Sequence, residues 1–285
     1  LATAYAQIIA DALGLNPTAI TVTHGDTGAG PRGVGTMGSR SLQLGGSALR
    51  QAAQEIADQL RQFAANLLEA AAADLVLADG LIHPAGVPSR AIPLADVVRQ
   101  VVAARAQDEA SAIAAVDGLA ATVQFQAEGE TYPFGTTIAV VAIDRATGEP
   151  TIERFVAVDD VGNVINPRLV EGQLHGGAVQ GFGEALWEQV VYDDSGQLLS
   201  GSLLDYAMPR ASWLPAFELE RTVTPSPTNP LGAKGVGEAG TVHAVPAVAN
   251  AVMDALRPFG VEPLDLPLTP EKLWRVIHFG GAGIR

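Results

Sequence analysis

Residues 232–241 read GAKGVGEAGT, a glycine-dense loop that contains one carboxylate and leads into an apolar segment. Four glycines in ten residues allow positive φ angles and close approach to a ligand, so the backbone N–H groups can converge on anionic oxygens. The carboxylate, Glu238, is a candidate proton acceptor. A helix N-terminus stabilises the charged form of a carboxylate, however, which opposes this use. Taken alone, the loop is also compatible with a solvated glutamate in a simple glycine-rich turn.

The segments around this loop predict regular structure. Residues 241–256 carry apolar side chains at helical spacing, interrupted near Pro246, and predict a helix. Residues 217–223 alternate as in a strand. Elsewhere the patterns predict helices at 1–14, 47–71 and 169–187 and one beginning at 92, strands at 18–24, 135–144 and 150–158, and a hairpin turn at Asp79-Gly80.

The order of these elements favours an α+β fold with two α/β-layered subdomains rather than a parallel doubly wound sheet. Residues 107–131 show weak periodicity and mixed polarity, which is typical of a linker. We therefore predict subdomains at residues 1–125 and 126–285, the second containing the Glu238 loop. The chain opens directly in a helical pattern without a capping residue, so the first subdomain is expected to be N-terminally incomplete.

The composition excludes several classes of function. A formal net charge of −14 argues against a nucleic-acid or anionic-membrane surface. No apolar run approaches the ~18–20 residues of a membrane span, and a cytoplasmic location is expected. The absence of Cys excludes disulfides and iron–sulfur ligation by these residues. The five His residues show no HExxH motif or other tight spacing, so no metal bound by protein side chains is expected.

Two stretches, residues 28–33 and 235–240, match the GxGxxG pattern of dinucleotide-binding folds. A Pro-rich segment precedes the second where a strand is required, and the helix after the first begins too late. A Rossmann unit is therefore not predicted. GxxxxGK[ST] and GxSxG patterns are absent, so a P-loop or a hydrolase nucleophile has no support.

Further candidate binding residues lie outside the loop. Residues 37–41 (MGSRS) combine hydroxyls and a guanidinium before a helix, which suits either phosphate oxygens or a helix cap. The Gln173 amide could hold a cofactor edge, or could be a buried amide bonded to the backbone. Lys234 could attract a phosphate, or could be an ordinary surface lysine. Turn-forming contacts with the local backbone are predicted for Asp159, Asp160, Asn163 and Asn166.

Three separated regions together resemble one family. They are residues 25–27 (GDT) with 35–41 (GTMGSRS), residues 158–167 (VDDVGNVINP) with 171–177 (EGQLHGG), and residues 224–238 (TPSPTNPLGAKGVGE). In this order they resemble the large subunits of the molybdenum hydroxylases, the xanthine dehydrogenase and aldehyde oxidase family. The residues in these motifs are most similar to those of the aerobic carbon monoxide dehydrogenase branch. The resemblance runs from Leu1 to about Val276.

This resemblance implies the C-terminal molybdopterin-binding portion of a catalytic subunit, with a molybdenum–molybdopterin dinucleotide of the cytosine type. It also implies that Glu238 activates molybdenum-bound water or hydroxide for the oxidation of a small substrate. The cofactor contacts that it implies come from Gly38, Ser39, Arg40, Ser41, Gln173, Lys234, Gly235 and Val236. One departure is Met37, which stands where the carbon monoxide dehydrogenase branch is expected to have Tyr.

The resemblance further implies a hetero-oligomer, with FAD on a medium subunit and 2Fe-2S centres on a small subunit. Because the family has a cofactor loop and a substrate-side loop upstream of Leu1, an N-terminal half of the large subunit is another expected partner. Carbon monoxide, aldehyde, purine and N-heterocycle substrates all stay open. Two alternatives are an inactive truncated or split fragment and an α+β binding module that retains only the family's shape.

Overall fold

The chain forms two compact units. The computed structural model describes residues 1–28, 30, 33, 35–106 and 119–280. Unit 1 comprises residues 1–130 and 227–233, and unit 2 comprises residues 131–226 and 234–285. The sequence-based boundary lay between residues 125 and 126 and left 227–233 in the second subdomain, whereas this segment packs within unit 1. Residues 107–118 of the expected linker lie outside the described part.

Unit 1 combines helices with a small antiparallel sheet in the order β1-β2-β3. Its elements are α1 (Ala2–Leu13), α2 (Ser47–Leu68), β1 (Leu75–Ala78), β2 (Leu81–Pro84), β3 (Ile92–Pro93) and α3 (Leu94–Ala106). Leu60, Ala64 and Leu68 follow one another at intervals of four on α2, and so lie on one face of the helix. This face packs with Leu75 and Ile82 of the sheet to form the core of unit 1.

The predicted hairpin turn of unit 1 is confirmed. Asp79 and Gly80 join β1 to β2 with φ angles of 53° and 73°. Positive φ at both central residues is the requirement of a type I′ turn, which the Asp-Gly sequence meets. The Gly80 amide also donates a hydrogen bond of 2.7 Å to the Gly14 carbonyl, which ties the turn to the end of α1.

The predicted strand at 18–24 is wrong. Residues Pro17–Ala19 form a 3-10 turn, and residues 20–24 belong to no strand. The Asn16 side chain accepts hydrogen bonds from both the amide and the hydroxyl of Thr18. Such local side-chain contacts compete with strand pairing, and Pro17 has no N–H to offer a ladder.

Unit 2 contains a mixed sheet in the order β4-β5-β6. Its elements are β4 (Phe134–Ile143), β5 (Pro150–Asp160), α4 (Pro167–Leu186), β6 (Phe217–Thr222), α5 (Ala239–Leu256) and α6 (Pro270–Phe279). β4 and β5 form the predicted hairpin, and β6 runs parallel to β5. The helices and the sheet share a core that includes the fully buried Phe155, Phe182 and Val248. In the described part of the chain, no helix is long and apolar enough to cross a membrane.

Glycines bring α4 and α5 into backbone contact. A Cβ atom on Gly240 of α5 would lie 2.5 Å from the carbonyl oxygen of Leu174 on α4. A Cβ atom on Gly177 would lie 3.0 Å from the Cα of Gly240, and one on Gly181 would lie 2.7 Å from the Cβ of Ala244. Larger residues at these three positions would force the helices apart. The close packing of the start of α5 against α4 therefore requires glycine at these positions.

Gly240→Ala should lower the free energy of unfolding by roughly 1–3 kcal/mol, because the added methyl group overlaps the backbone of α4. Gly176→Ala is the matched control, since a Cβ at Gly176 of the same helix pair meets nothing within 4 Å. The control should instead stabilise the chain by roughly 0.5–1 kcal/mol through helix propensity. Urea unfolding of both variants measures the difference, and equal effects would contradict the close crossing.

Candidate functional site

The glycine-dense loop lies in unit 2 and leads directly into α5. The Lys234 amide donates a hydrogen bond of 2.8 Å to the Val161 carbonyl, just beyond the end of β5. Gly235 is buried, and Val236 packs against a small apolar cluster of Val161, Val170 and Leu174. Glu238 is the residue immediately before α5, and it is exposed. The loop is thus anchored by its first residues, while Glu238 itself is exposed.

A buried ion pair holds the beginning of this loop. The Lys234 ammonium lies 2.8 Å from Asp160 Oδ1, with side-chain exposures of 8% and 0% respectively. The ammonium also lies 4.2 Å from the centre of the Phe134 ring, a cation–π contact. Sequence reasoning expected Asp160 to shape a turn, and it does accept a hydrogen bond of 3.0 Å from the Gly162 amide. Its additional role as the partner of Lys234 was not foreseen.

The electrostatics of this pair favour the ionised carboxylate. Burial acts to raise the pKa of the Asp160 carboxyl, but its hydrogen bonds outweigh this effect and hold the pKa well below its usual range. The donors, in decreasing order of effect, are Lys234, Thr224, the Gly162 amide and Thr222. The ammonium of Lys234 is therefore engaged within unit 2, and the assignment of Lys234 as a cofactor ligand stays a prediction.

Lys234→Met should lower the free energy of unfolding by roughly 3–5 kcal/mol, because it leaves the buried Asp160 charge without its partner. Since the folded pKa of Asp160 is depressed, its contribution to stability is complete above the unfolded pKa of about 3.9. That contribution is lost as the pH falls through the folded pKa. Asp160→Asn should therefore flatten the loss of stability below about pH 4, as measured by urea unfolding.

The control for both variants is Glu218→Gln. Glu218 pairs with Arg154 on the same sheet, but the two side chains are 47% and 60% exposed. Solvent screens such a pair, so its loss should affect stability much less than Lys234→Met. An Asp160→Asn variant with the same acid-dependence as the unmodified chain would contradict the role of Asp160.

The helix crossing brings Gln173 close to the same region. Gly240 lies directly against Leu174, the residue that follows Gln173 on α4. The Thr241 hydroxyl donates a hydrogen bond of 2.9 Å to the Gly177 carbonyl, which fastens the first turn of α5 to α4. Gln173 is exposed, so it is not the buried amide that was the alternative interpretation. Gln173 thus neighbours the residue of α4 that contacts the first turn of α5, and Glu238 immediately precedes that turn.

A second candidate segment, residues 38–41, lies in unit 1. Gly38 and Ser39 both have positive φ angles, 55° and 52°, which turn the chain sharply before Arg40. The Ser41 hydroxyl donates a hydrogen bond of 2.8 Å to Thr36 Oγ1, and the Tyr5 hydroxyl donates one of 2.8 Å to the Ser41 carbonyl. A single π-helical turn, Leu42–Gly46, then leads into α2. The backbone of this segment is therefore tied in place at its C-terminal end.

Arg40 carries a buried hydrogen-bond donor in this segment. Its Nε atom is buried and has no hydrogen-bond partner among the described residues. A buried donor without an acceptor is costly, and such groups call for a bound acceptor. The position of a Cβ on the neighbouring Gly38 is open, with no atom within 4 Å. An anionic group such as a phosphate fits this donor set.

Two further polar residues of unit 2 were missed by sequence reasoning. His243 on α5 has its Nε2 atom 3.1 Å from Asp159 Oδ1, and its Nδ1 atom 2.9 Å from the Thr137 hydroxyl. Asp159 was expected only to shape a turn. The consecutive pair Asp159-Asp160 at the end of a strand could have indicated these contacts. Neighbouring strand residues point to opposite faces, so the two carboxylates need different partners. Asn166 does fulfil its expected local role, since its side chain caps α4 at the Leu169 amide.

The described residues contain no group of three or more His, Cys, Asp or Glu side chains that could hold a metal ion.

Comparison with known proteins identifies the family. Residues 1–215 match the molybdopterin cofactor-binding domain family, and the chain belongs to it. It is 42% identical over 273 residues to the carbon monoxide dehydrogenase large chain of Hydrogenophaga pseudoflava, covering 96% of this chain and 33% of the relative. It is 39% identical over 274 residues to the nicotine 6-hydroxylase large subunit of Paenarthrobacter nicotinovorans, with the same coverage. The chain thus spans about a third of the length of these relatives.

The fold is also that of a solved structure. Quinoline 2-oxidoreductase from Pseudomonas putida 86 superimposes with a TM-score of 0.84 at 37% sequence identity, covering 97% of this chain and 35% of that one. The expected α+β fold and the resemblance to the large subunits of the molybdenum hydroxylases are both confirmed.

Proposed function

We propose that this chain is part of the catalytic subunit of a molybdenum-dependent hydroxylase or dehydrogenase and binds a molybdopterin dinucleotide of the cytosine type. The observation that carries the proposal is the buried Arg40 Nε, which has no hydrogen-bond partner among the described residues, in a chain of the molybdopterin cofactor-binding domain family. A guanidinium donor supported by a sharply turned backbone suits the phosphate oxygens of such a dinucleotide.

As the resemblance implies, cofactor contacts are proposed for residues of unit 1 and, separately, for residues of unit 2. In unit 1, Gly38, Ser39, Arg40 and Ser41 would contact its phosphates. In unit 2, Gln173, Gly235, Val236 and, as predicted from the resemblance, Lys234 would contact its pterin side. For Gly235 the residue type supports this assignment, because glycine allows a ligand to approach the main chain closely. For Lys234 the ammonium is paired with Asp160 and the amide donates to the Val161 carbonyl, so its contact with the cofactor rests on the resemblance alone.

Glu238 would act as the general base. The residue is exposed immediately before α5, where its carboxylate would accept a proton from the water that supplies the oxygen atom. When bound, the molybdenum cofactor would supply the two-electron redox chemistry that no protein side chain provides. The role of the protein is then to fix the proton acceptor and to orient the substrate beside it.

The substrate would be a small molecule: carbon monoxide, an aldehyde or an N-heterocycle. Relatives named for carbon monoxide and nicotine support this range. Because the 285 residues contain no Cys, electrons would leave through 2Fe-2S centres on a small subunit and FAD on a medium subunit. The assembly would be a cytoplasmic hetero-oligomer that also includes the N-terminal half of the large subunit.

A second candidate function follows from the coverage of about one third of the relatives' length. The chain would then fold as an α+β module that holds no cofactor until an N-terminal partner half completes the site. Molybdenum and pterin content, measured on the chain alone and on the chain expressed with its genomic neighbours, separates the two. Near-stoichiometric molybdenum in either preparation, with turnover in the assembly, supports the first, whereas molybdenum that appears only with the neighbours and gives no turnover supports the second. No molybdenum in either preparation would overturn both.

Glu238→Gln should lower kcat by on the order of 10²–10⁴-fold, because the variant lacks the proton acceptor but keeps the size of the side chain. Molybdenum content should stay unchanged. Activity is measured as dye reduction with carbon monoxide, benzaldehyde, nicotine, quinoline and xanthine. The control is Glu262→Gln, an exposed glutamate of unit 2 beyond α5. A Glu238→Gln enzyme with full activity would rule out this assignment.

Arg40→Met should lower molybdenum and pterin content, because it removes the buried donor while keeping much of the apolar stem. Thermal stability should change little, since Arg40 Nε makes no hydrogen bond within the described residues. Arg99→Met serves as the control, because Arg99 lies on α3 with its side chain 78% exposed. Cofactor content that is unaffected by the Arg40 change but falls with the Arg99 change would contradict the assignment.

A further inference from the structure

A polar constellation lies beneath the second turn of α5. Thr137 of β4, Asp159 of β5 and His243 of α5 come together there. The Thr137 hydroxyl lies 2.9 Å from His243 Nδ1, within hydrogen-bond distance. On the other side of the ring, Nε2 lies 3.1 Å from Asp159 Oδ1, a close electrostatic contact whose angle is not that of a hydrogen bond. The imidazole therefore links two strands of the sheet to the helix.

The constellation is enclosed by packing. Asp159 is only 3% exposed, and the His243 ring stacks on the buried Phe155 ring with the centroids 6.3 Å apart. Gly135 faces Asp159 across the β4–β5 pair, and a Cβ at Gly135 would lie 2.9 Å from Asp159 Oδ1. The space for the carboxylate thus depends on a glycine. A charged group in such surroundings is costly unless a polar group faces it, and the His243 Nε2 atom, 3.1 Å from Oδ1, is the group that faces this carboxylate.

Two consecutive carboxylates fix the Glu238 segment from both sides. Asp160 holds Lys234, which lies four residues before Glu238, and Asp159 faces His243, which lies five residues after it. The pleat of β5 sends these neighbouring side chains in opposite directions. The carboxylate of Glu238 therefore stands between two attachment points on the same strand.

The fold of α5 does not require the second attachment. Ala244, Val248, Val252 and Leu256 are all fully buried and anchor the rest of the helix in the core. A buried polar contact adds little net stability beside such apolar packing, but it restricts orientation. Its effect is concentrated at the N-terminal turns of α5, where Glu238 lies.

We propose that Asp159, His243 and Thr137 are positioning residues for Glu238, which they serve by fixing the first two turns of α5 against β4 and β5. The inference rests on the proposed function of Glu238 as the base. Small displacements of a catalytic group can cost about 10²-fold in rate, so a positional role of this kind is large enough to measure.

The decisive variants are His243→Phe and His243→Gln. Phenylalanine keeps a ring for stacking on Phe155 but loses both nitrogens, whereas the glutamine amide keeps a donor that can reach Asp159. Because His243→Phe leaves a buried carboxylate unpaired, the double variant His243→Phe with Asp159→Asn guards against loss of the fold. The control is His278→Phe, which changes an exposed histidine on α6.

Two measurements are made on the chain and on its assembly with the genomic neighbours. Hydrogen exchange of the amides at 235–242 should be at least about tenfold faster in His243→Phe and in the double variant, while the amides at 248–256 stay protected. In the assembly, kcat should fall by about 10–100-fold with KM and molybdenum content unchanged. His243→Gln should recover most of both properties, and His278→Phe should match the unmodified protein.

Unchanged exchange at 235–242 in the double variant would overturn the proposal. So would loss of protection throughout unit 2, because the residues would then support the fold as a whole. If the assembly contains no molybdenum and shows no turnover, the proposed function fails, yet the exchange measurement still decides whether this constellation orders the Glu238 segment. Faster exchange with unaltered kcat in an active assembly would overturn the positioning role alone.

Discussion

The organisation of unit 2 depends on the glycine-mediated contact between α4 and α5. Gly177, Gly181 and Gly240 let the two backbones touch, and no other residue could occupy these positions without moving a helix. Because Glu238 precedes α5 by a single residue position, this crossing decides where the carboxylate is presented. The glycines that sequence reasoning associated with ligand approach therefore divide into two groups. Gly240 serves helix packing, whereas Gly235 lies in the buried loop that remains a candidate for ligand contact.

Charged residues complement this packing at the end of β5. The fully buried Asp160 accepts hydrogen bonds from four donors. Its ion pair with Lys234 is buried, unlike a surface salt bridge, and it fixes the start of the loop on β5. Asp159 has a poorer environment, with its Oδ2 atom unpartnered among the described residues. The end of the strand therefore carries one aspartate with a full set of donors and one with an unsatisfied oxygen among the described residues. Unit 1 shows a similar contrast, because the backbone of residues 38–41 is anchored by hydrogen bonds while Arg40 Nε has no partner in the part of the chain that the structure describes.

Much of the fold was accessible from local patterns. The Asp79-Gly80 turn, the β4–β5 hairpin and the long helices follow from periodicity and turn chemistry, which act over a few residues. The failure at 18–24 has a local cause as well, since Asn16 captures the Thr18 amide that a strand would use. The Lys234–Asp160 pair spans 74 residues of sequence, and the Thr137–His243 contact spans 106. Periodic patterns do not indicate contacts between residues so far apart in sequence. The loop could therefore be predicted from the sequence, but the side-chain contacts that hold it in place could not.

The segment 227–233 has a consequence for the order in which the molecule can be assembled. It belongs to unit 1, where Arg50 donates to the Pro230 carbonyl and Leu231 packs at Gly46. Synthesis nevertheless delivers it after residues 131–226, which belong to unit 2. A nascent chain therefore cannot close unit 1 when residues 1–130 have emerged from the ribosome. The packing of unit 1 stays incomplete until residues 227–233 have been synthesised, about one hundred residues later. Folding of the two units is in this way interleaved in time.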